Sequence, residues 1–450
     1  MFRIAMRSVR KRTGSFVASF LAMFLGAIIV MAFGSMLDIA GGDGVPDTAK
    51  ETLFIMGNVV GGWGLILVVF AVVSTLTLSV RQRGAEMALL KSVGATPAQL
   101  GRMIVGEAAA LAVVAAALAV VPAMVLGRGL LGMLHGTDQV PDSVGYSFGP
   151  IALSIGIGVT FLSAVAAAAV TARRVARTGI NQGLDDTGSV RMTKKRVIFA
   201  GIFLALALDL AVVTSTVMKD KGTDAMATSG QADIFAALGL ALLAPWFLRR
   251  IVGAVAPALQ RMGGISGALA ASTLLRRNGQ MASAVTPIIL FTGIGVGTLY
   301  LQEIENNALA AAGMKATVES KNIETLNFVV IGMIVLFTAI MLVNTLIAAT
   351  TYRRREFGQQ RLTGATPGQV LGAVVLESTV LTVTGVALGS VAALFTIIPF
   401  SIARTGDALP EGDPGMLLAV AAIAAVLTLA TAYGTARRVV STPAVEAVSV

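Results

Sequence analysis

His135 is the one histidine of the 450-residue sequence, and no cysteine occurs. Thiolate nucleophiles, disulfides and Cys-ligated metals are therefore excluded, and a Ser-His-Asp machine or multi-His metal site would have to be built around a single imidazole. No catalytic residue and no metal site is expected. The pattern G-x-x-x-x-G-K-[ST] is absent and no lysine follows a glycine, so the chain cannot cradle ATP phosphates in a P-loop. The charged and turn-forming residues instead repeat. Gly94-Ala95-Thr96-Pro97-Ala98-Gln99 returns 270 residues later as Gly364-Ala365-Thr366-Pro367-Gly368-Gln369. At the same offset Arg83 meets Arg353, Glu86 meets Glu356, Lys91 meets Arg361 and Glu107 meets Glu377.

The repeated segment has legible local physics. Charged and apolar residues mix from Arg83 to Val93, with Met87 and Leu90 at i, i+3 spacing on one helical face. Gly94 suits a position just past a helix end, where the backbone turns left-handed. Thr96 is a good N-cap and Pro97 a good first helical residue, so a second helix starts there. Each repeat thus predicts a tight helix–turn–helix. Two hairpins that stay alike while the flanking apolar segments diverge imply two meetings with the same kind of cytoplasmic partner.

The elements that carry these hairpins are membrane spans. The chain is 56% hydrophobic and 13% charged, with mean hydropathy +0.83, which excludes a water-soluble enzyme around one core. Ten apolar windows recur along the chain, nine of them reaching the roughly 20 residues that a bilayer core needs. They are 14–37, 53–80, 104–126, 149–171, 197–218, 234–248, 282–301, 326–350, 373–398 and 416–436. The sixth is the weakest, short and interrupted by Pro245, and reads as a broken or interfacial helix. With the N-terminus inside, most Lys and Arg fall on the cytoplasmic side and most Asp and Glu outside. The net charge of +10 therefore follows the positive-inside rule and calls for no nucleic acid partner.

The fold expected is an all-α integral membrane protein with two parallel four-span repeats, residues 1–178 and 261–450. A cytoplasmic linker and two-span insert, 179–260, joins them. Further echoes support this division. Thr171-Ala172-Arg173-Arg174-Val175 recurs as Thr435-Ala436-Arg437-Arg438-Val439, and Arg12-Thr13-Gly14 pairs with Arg277-Asn278-Gly279.

On these residues the chain resembles the FtsX-like, MacB-type family of ABC transporter permeases. Arg83, Glu86, Lys91 and Gly94-Ala95-Thr96 carry the resemblance in the first half, and Arg353, Glu356, Arg361 and Gly364-Ala365-Thr366 in the second. The closing Ala436-Arg437-Arg438 through Thr442-Pro443-Ala444-Val445-Glu446-Ala447 completes it. The resemblance implies a multi-pass permease of the bacterial cytoplasmic membrane with both termini cytoplasmic. Its hairpins, with Pro97, Gln99, Pro367 and Gln369 at their tips, would act as coupling elements seated on two copies of a separate ABC ATPase. That partner would hold ATP and Mg, while this chain binds no cofactor. The second half departs from the family pattern at Gln359-Gln360, where an aliphatic pair is more usual.

Short external loops leave the membrane as the place of work, and the cargo expected is hydrophobic or amphipathic: a drug, a peptide or a lipid, moved by export or extraction. The alternative is a non-transporting mechanical or sensory partner of an ABC ATPase. An ion-coupled carrier would need several intramembrane charges, and Asp209 is the single ionisable residue read deep in a span, hence a candidate intramembrane functional group. Glu107 and Glu377, at the start of spans three and nine, are expected to cap their helices or pair with a basic residue. Gly293-Ile294-Gly295-Val296-Gly297 places small residues where helices can approach closely.

Overall fold

Where residues are described, the apolar windows fold as helices, most of them longer than the windows themselves. The computed structural model describes residues 13–60, 92–177, 192–313 apart from 220, 222 and 223, and 318–449 apart from 352 and 411, with single residues 72, 76, 87, 89 and 90. In chain order the helices are α1 (Thr13–Ala40), α2 (Asp47–Ile55), α3 (Pro97–Gly136), α4 (Pro150–Arg177), α5 (Lys194–Thr216), α6 (Asp224–Met262) and α7 (Gly264–Arg276). They continue as α8 (Asn278–Ala311), α9 (Val318–Thr351), α10 (Arg354–Leu362), α11 (Pro367–Thr405), α12 (Pro414–Val440) and α13 (Ala444–Ser449). No strand occurs among the described residues.

Eight of them, α1, α3, α4, α5, α6, α8, α11 and α12, are long and apolar enough to cross a membrane, and the chain is an all-α, multi-pass membrane protein. The second expected span lies mostly outside the described residues and the eighth falls within α9. The sixth window corrects the sequence reading. It is neither short nor broken but part of the single 39-residue helix α6, which continues through Pro245 and Pro257. The second helix of each hairpin starts at Pro97 and Pro367 as expected and runs on without a break: α3 has 40 residues and α11 has 39, rods of about 60 Å, twice what a bilayer core requires.

Packing divides the chain into two compact units, one of residues 1–186 with 316–340 and one of residues 187–315 with 341–450. In the first, α1 lies against α3 and α4, which also pack on each other. Ala116, Ala119 and Ala123 of α3 meet Ala27, Ile28 and Met31 of α1, small residues that let the two backbones approach. Asp38 closes the start of α4: its carboxylate accepts from the backbone N–H of Ile151 (3.1 Å) and Ala152 (2.8 Å). Pro150 has no N–H, so two of the three orphan donors at that helix start are thereby satisfied.

In the second unit α6 packs on α5, α8 and α11, and α8 on α11. The α8–α11 contact is close because it is glycine on glycine. A Cβ on Gly389 would lie 2.6 Å from Thr292 Cβ and 2.9 Å from the Gly293 nitrogen. Gly293 thus serves close helix packing, as its spacing predicts. Polar ties complete the unit. Ser229 of α6 and Thr396 of α11 exchange hydroxyl-to-carbonyl hydrogen bonds, and Arg404 of α11 grips Glu305 of α8 through two bonds of 2.6 and 2.7 Å.

Candidate functional site

Each hairpin tip is made by the same local devices. Gly94 and Gly364 adopt φ of +98° and +105°, the left-handed region that glycine occupies without a Cβ clash. The chain reverses there through a bond from the Ala95 N–H to the Leu90 carbonyl (2.9 Å), and from the Ala365 N–H to the Gln360 carbonyl (2.9 Å). The second tip also shows Gly364 N–H on the Arg361 carbonyl at 3.2 Å, completing a Schellman motif. Thr96 then caps α3: its hydroxyl accepts from the Gln99 N–H (3.3 Å), while the Gln99 side chain accepts from the Thr96 N–H (2.9 Å). Thr366 and Gln369 repeat this capping box on α11 at 3.3 and 2.8 Å, with Pro97 and Pro367 first in their helices. The Thr-x-x-Gln signature was readable in the sequence and adds Gln99 and Gln369 to the cap.

Small apolar cores hold the tips on their rods. Met87 packs with Leu100, Met103 and Ala95 in the first hairpin. At the 270-residue offset, Phe357 packs with Val370, Val374 and Ala365 in the second, against Ala432, Ala436 and Val440 of α12. The outward surfaces differ. Leu89 and Val93 are 66% and 81% exposed on the first tip, where the second presents Gln359 and Thr363.

The base of the second hairpin is a buried charge cluster. Arg353 is 4% exposed and lies against Glu377 of α11, its Nη2 donating to Oε1 at 3.0 Å and its Nη1 to Oε2. Its Nε donates to Glu356 Oε2 (3.2 Å), and Nη2 also reaches the Thr273 hydroxyl of α7 (3.3 Å). Arg277, at the joint of α7 and α8, meets the same Oε2 of Glu356 at 3.3 Å. The Arg353 guanidinium stands 4.7 Å from the centre of the Phe357 ring. Burial works against its charge, and Glu377 and Glu356 overcome that, leaving its pKa above the usual arginine value. The cluster joins α7, α8, α10 and α11 at one point. Arg353 is buried within the chain, and its contacts are with these elements.

Arg361 also turns inward. Its Nη1 donates to the carbonyls of Val440 (2.9 Å) and Thr442 (2.6 Å), fixing the chain where α12 ends. The last helix, α13, then lies on α10, and Gly358 makes the room: a Cβ there would sit 2.8 Å from Val448 Cγ2 and 3.1 Å from the Ala444 carbonyl. The sequence reading noted the closing Thr442-to-Ala447 motif but gave it no place; it straps the second hairpin. Arg83, Glu86 and Lys91 lie outside the described residues. Glu107, 3% exposed, occupies on α3 the position that Glu377 occupies on α11.

Asp209 is not the single ionisable group of the spans, and it is exposed on α5. Asp233 of α6, one residue before the expected span, is 2% exposed, fills the space over Gly297 of α8 and leaves Oδ1 without a hydrogen bond. His135 stands in the last turn of α3, 3.8 Å from Asp142. Among the described residues no group of acidic and His side chains is placed to hold a metal.

The sequence pattern of the FtsX-like permease C-terminal family matches residues 58–180 and again residues 328–444, one match around each hairpin and together just over half of the chain. No curated protein matches it.

Proposed function

The chain belongs to the FtsX-like permease family, whose members are transmembrane components of ABC transporters working with an ABC ATPase, and on that premise we propose the following role. The chain is the permease subunit of the bacterial cytoplasmic membrane, termini inside, whose two hairpins each seat one copy of a separate ATPase. The ATPase pair holds ATP and Mg; this chain transmits its motion and moves a hydrophobic or amphipathic cargo, a drug, peptide or lipid, outward from the membrane.

One observation carries this reading. Two hairpins 270 residues apart share left-handed glycine, capping box, N1 proline and apolar core, each on a rod of about 60 Å that continues as a membrane-length helix. Duplicated devices of this kind suit duplicated partners, and a continuous rod is a direct path from tip to membrane. The sequence carries no P-loop of its own, which leaves the motor to another polypeptide.

The test is purification of the tagged chain in mild detergent under ATP-trapping conditions, with mass spectrometry of its companions. A variant with Thr96, Pro97, Thr366 and Pro367 all changed to Ala is run in parallel. Two ATPase copies per chain, depleted in the variant, are expected. If no ATPase accompanies the wild type the reading fails; an ATPase with compound-independent turnover and no cargo movement would favour the mechanical or sensory role.

A further inference from the structure

A surface cleft of about 380 Å³ opens on α6, lined by Trp246, Arg249, Arg250 and Gly253. The indole of Trp246 is 46% exposed, stands edge-on to Phe247 at 4.8 Å, and has the Arg250 guanidinium 5.4 Å from its ring centre. Arg249 and Arg250 are both exposed, and neither has a carboxylate partner among the described residues. Nothing lies within 4 Å of where a Gly253 Cβ would be, so the missing side chain keeps the cleft open.

The position of this cleft is fixed by its neighbours. The Asn278 amide, oriented to satisfy both groups, accepts from the Arg249 N–H (3.0 Å) and donates to the Pro245 carbonyl (3.3 Å). Asn278 follows Arg277, which holds Glu356 of the buried cluster, so the cleft lies level with the base of the second hairpin. One turn earlier on α6, the Leu242 carbonyl accepts from Arg196 Nε (2.6 Å), which brings the basic start of α5 to the same level. An apolar run of α6 ends here. A half-exposed indole beside unpaired guanidinia at such a boundary has the composition of a membrane–water interface.

We propose that Trp246, Arg249 and Arg250 form a binding site for the phosphate of an anionic lipid headgroup, in the leaflet on the hairpin side. The two guanidinia supply charge and fork-shaped donors suited to phosphate oxygens, the indole lies along the upper acyl chain, and Gly253 leaves room for the headgroup. Arg250, already held over the indole, loses little freedom on binding. Two basic residues at an anionic surface favour such a lipid over a zwitterionic one by roughly tenfold or more. The site requires only that α6 pass through the interface at Arg249 and Arg250, about three turns before its end at Met262, and is independent of whether an ATPase binds.

The chain has two tryptophans, so a Trp63→Phe variant leaves Trp246 as the only emitter. It is reconstituted into phosphatidylcholine vesicles containing a small, equal fraction of brominated phosphatidylglycerol or brominated phosphatidylcholine, and quenching is measured. Stronger quenching by the brominated phosphatidylglycerol is expected, with the preference abolished by Arg249→Gln with Arg250→Gln and reduced by Gly253→Leu. A monodisperse elution profile and unchanged circular dichroism keep unfolding out of the comparison. Equal quenching by both lipids overturns the proposal, leaving Trp246 as an interfacial anchor only. A Trp246 response in detergent to inorganic phosphate that matches the lipid effect would also overturn it, making the ligand a soluble anion. A preference undiminished in the arginine variant overturns it as well, by placing the selectivity elsewhere.

Discussion

Arg353 and Glu377, 24 residues apart in the chain, form a bidentate ion pair at the base of the second hairpin, where both are almost wholly out of solvent. A pair so placed costs desolvation on both sides. Its worth is conformational: it fixes where α10 leaves the membrane helices relative to α11.

Removing Arg353 leaves Glu377 buried without a counter-charge, at a cost of about 3–5 kcal/mol, whereas removing Glu377 leaves Arg353 only its bond to Glu356. Arg353→Met and Glu377→Leu singly should therefore lower the thermal midpoint of the purified protein far more than the two together. A double variant as unstable as the sum of the singles would show that the pair is not the relevant contact.

The capping boxes are smaller and more local. Thr96→Ala or Thr366→Ala should cost about 1 kcal/mol, roughly a fivefold rise in opening at the first turn of α3 or α11. Hydrogen exchange at the Gln99 and Gln369 amides reads this directly, and Thr→Ser, which keeps the acceptor, should stay close to wild type.

Gly358→Val places side-chain atoms where Val448 and the Ala444 carbonyl already stand. It should displace α13 and expose the C-terminal segment to protease while leaving the first hairpin unaffected. Both Gly358→Val and deletion of residues 444–450 should lower ATPase retention by the second hairpin; a deletion without effect would reduce the strap to a passive tail.

The tips differ in what they offer a partner. Leu89 and Val93 present apolar surface where Gln359 and Thr363 present amide and hydroxyl. Leu89→Gln with Val93→Thr should weaken ATPase binding by the first hairpin by about 1–3 kcal/mol, the burial energy of such side chains. Gln359→Leu with Thr363→Val should strengthen the second, and surface binding by each variant measures both.

The legible parts were the local ones. Glycine, threonine and proline announce the tips because cap and turn geometry is decided within five residues. The Arg353 cluster was not legible as a whole, since Thr273 and Arg277 come from one distant stretch of chain and Glu377 from another, and these meet only by packing. Arg353, Glu356 and Glu377 could be singled out by repetition, but repetition does not say that they touch. The rods outran their apolar windows because a helix continues for as long as its backbone bonds can, whereas hydropathy ends where the lipid does. Asp209 stood out in the sequence and Asp233 did not for a related reason. In helices apolar on every side no periodicity marks which face is covered, so an exposed and a buried aspartate look alike.

The long rod has a mechanical consequence. Measured along α11, Glu377 lies ten residues from Pro367 and 28 from Thr405, arms of about 15 and 42 Å. A rigid rod pivoting on the Arg353 pair would magnify a push at the tip roughly threefold at the far end. A chain without cysteine makes this measurable, since spin labels introduced at single positions near Gly368 and Thr405 report two displacements whose ratio either matches the lever arms or does not.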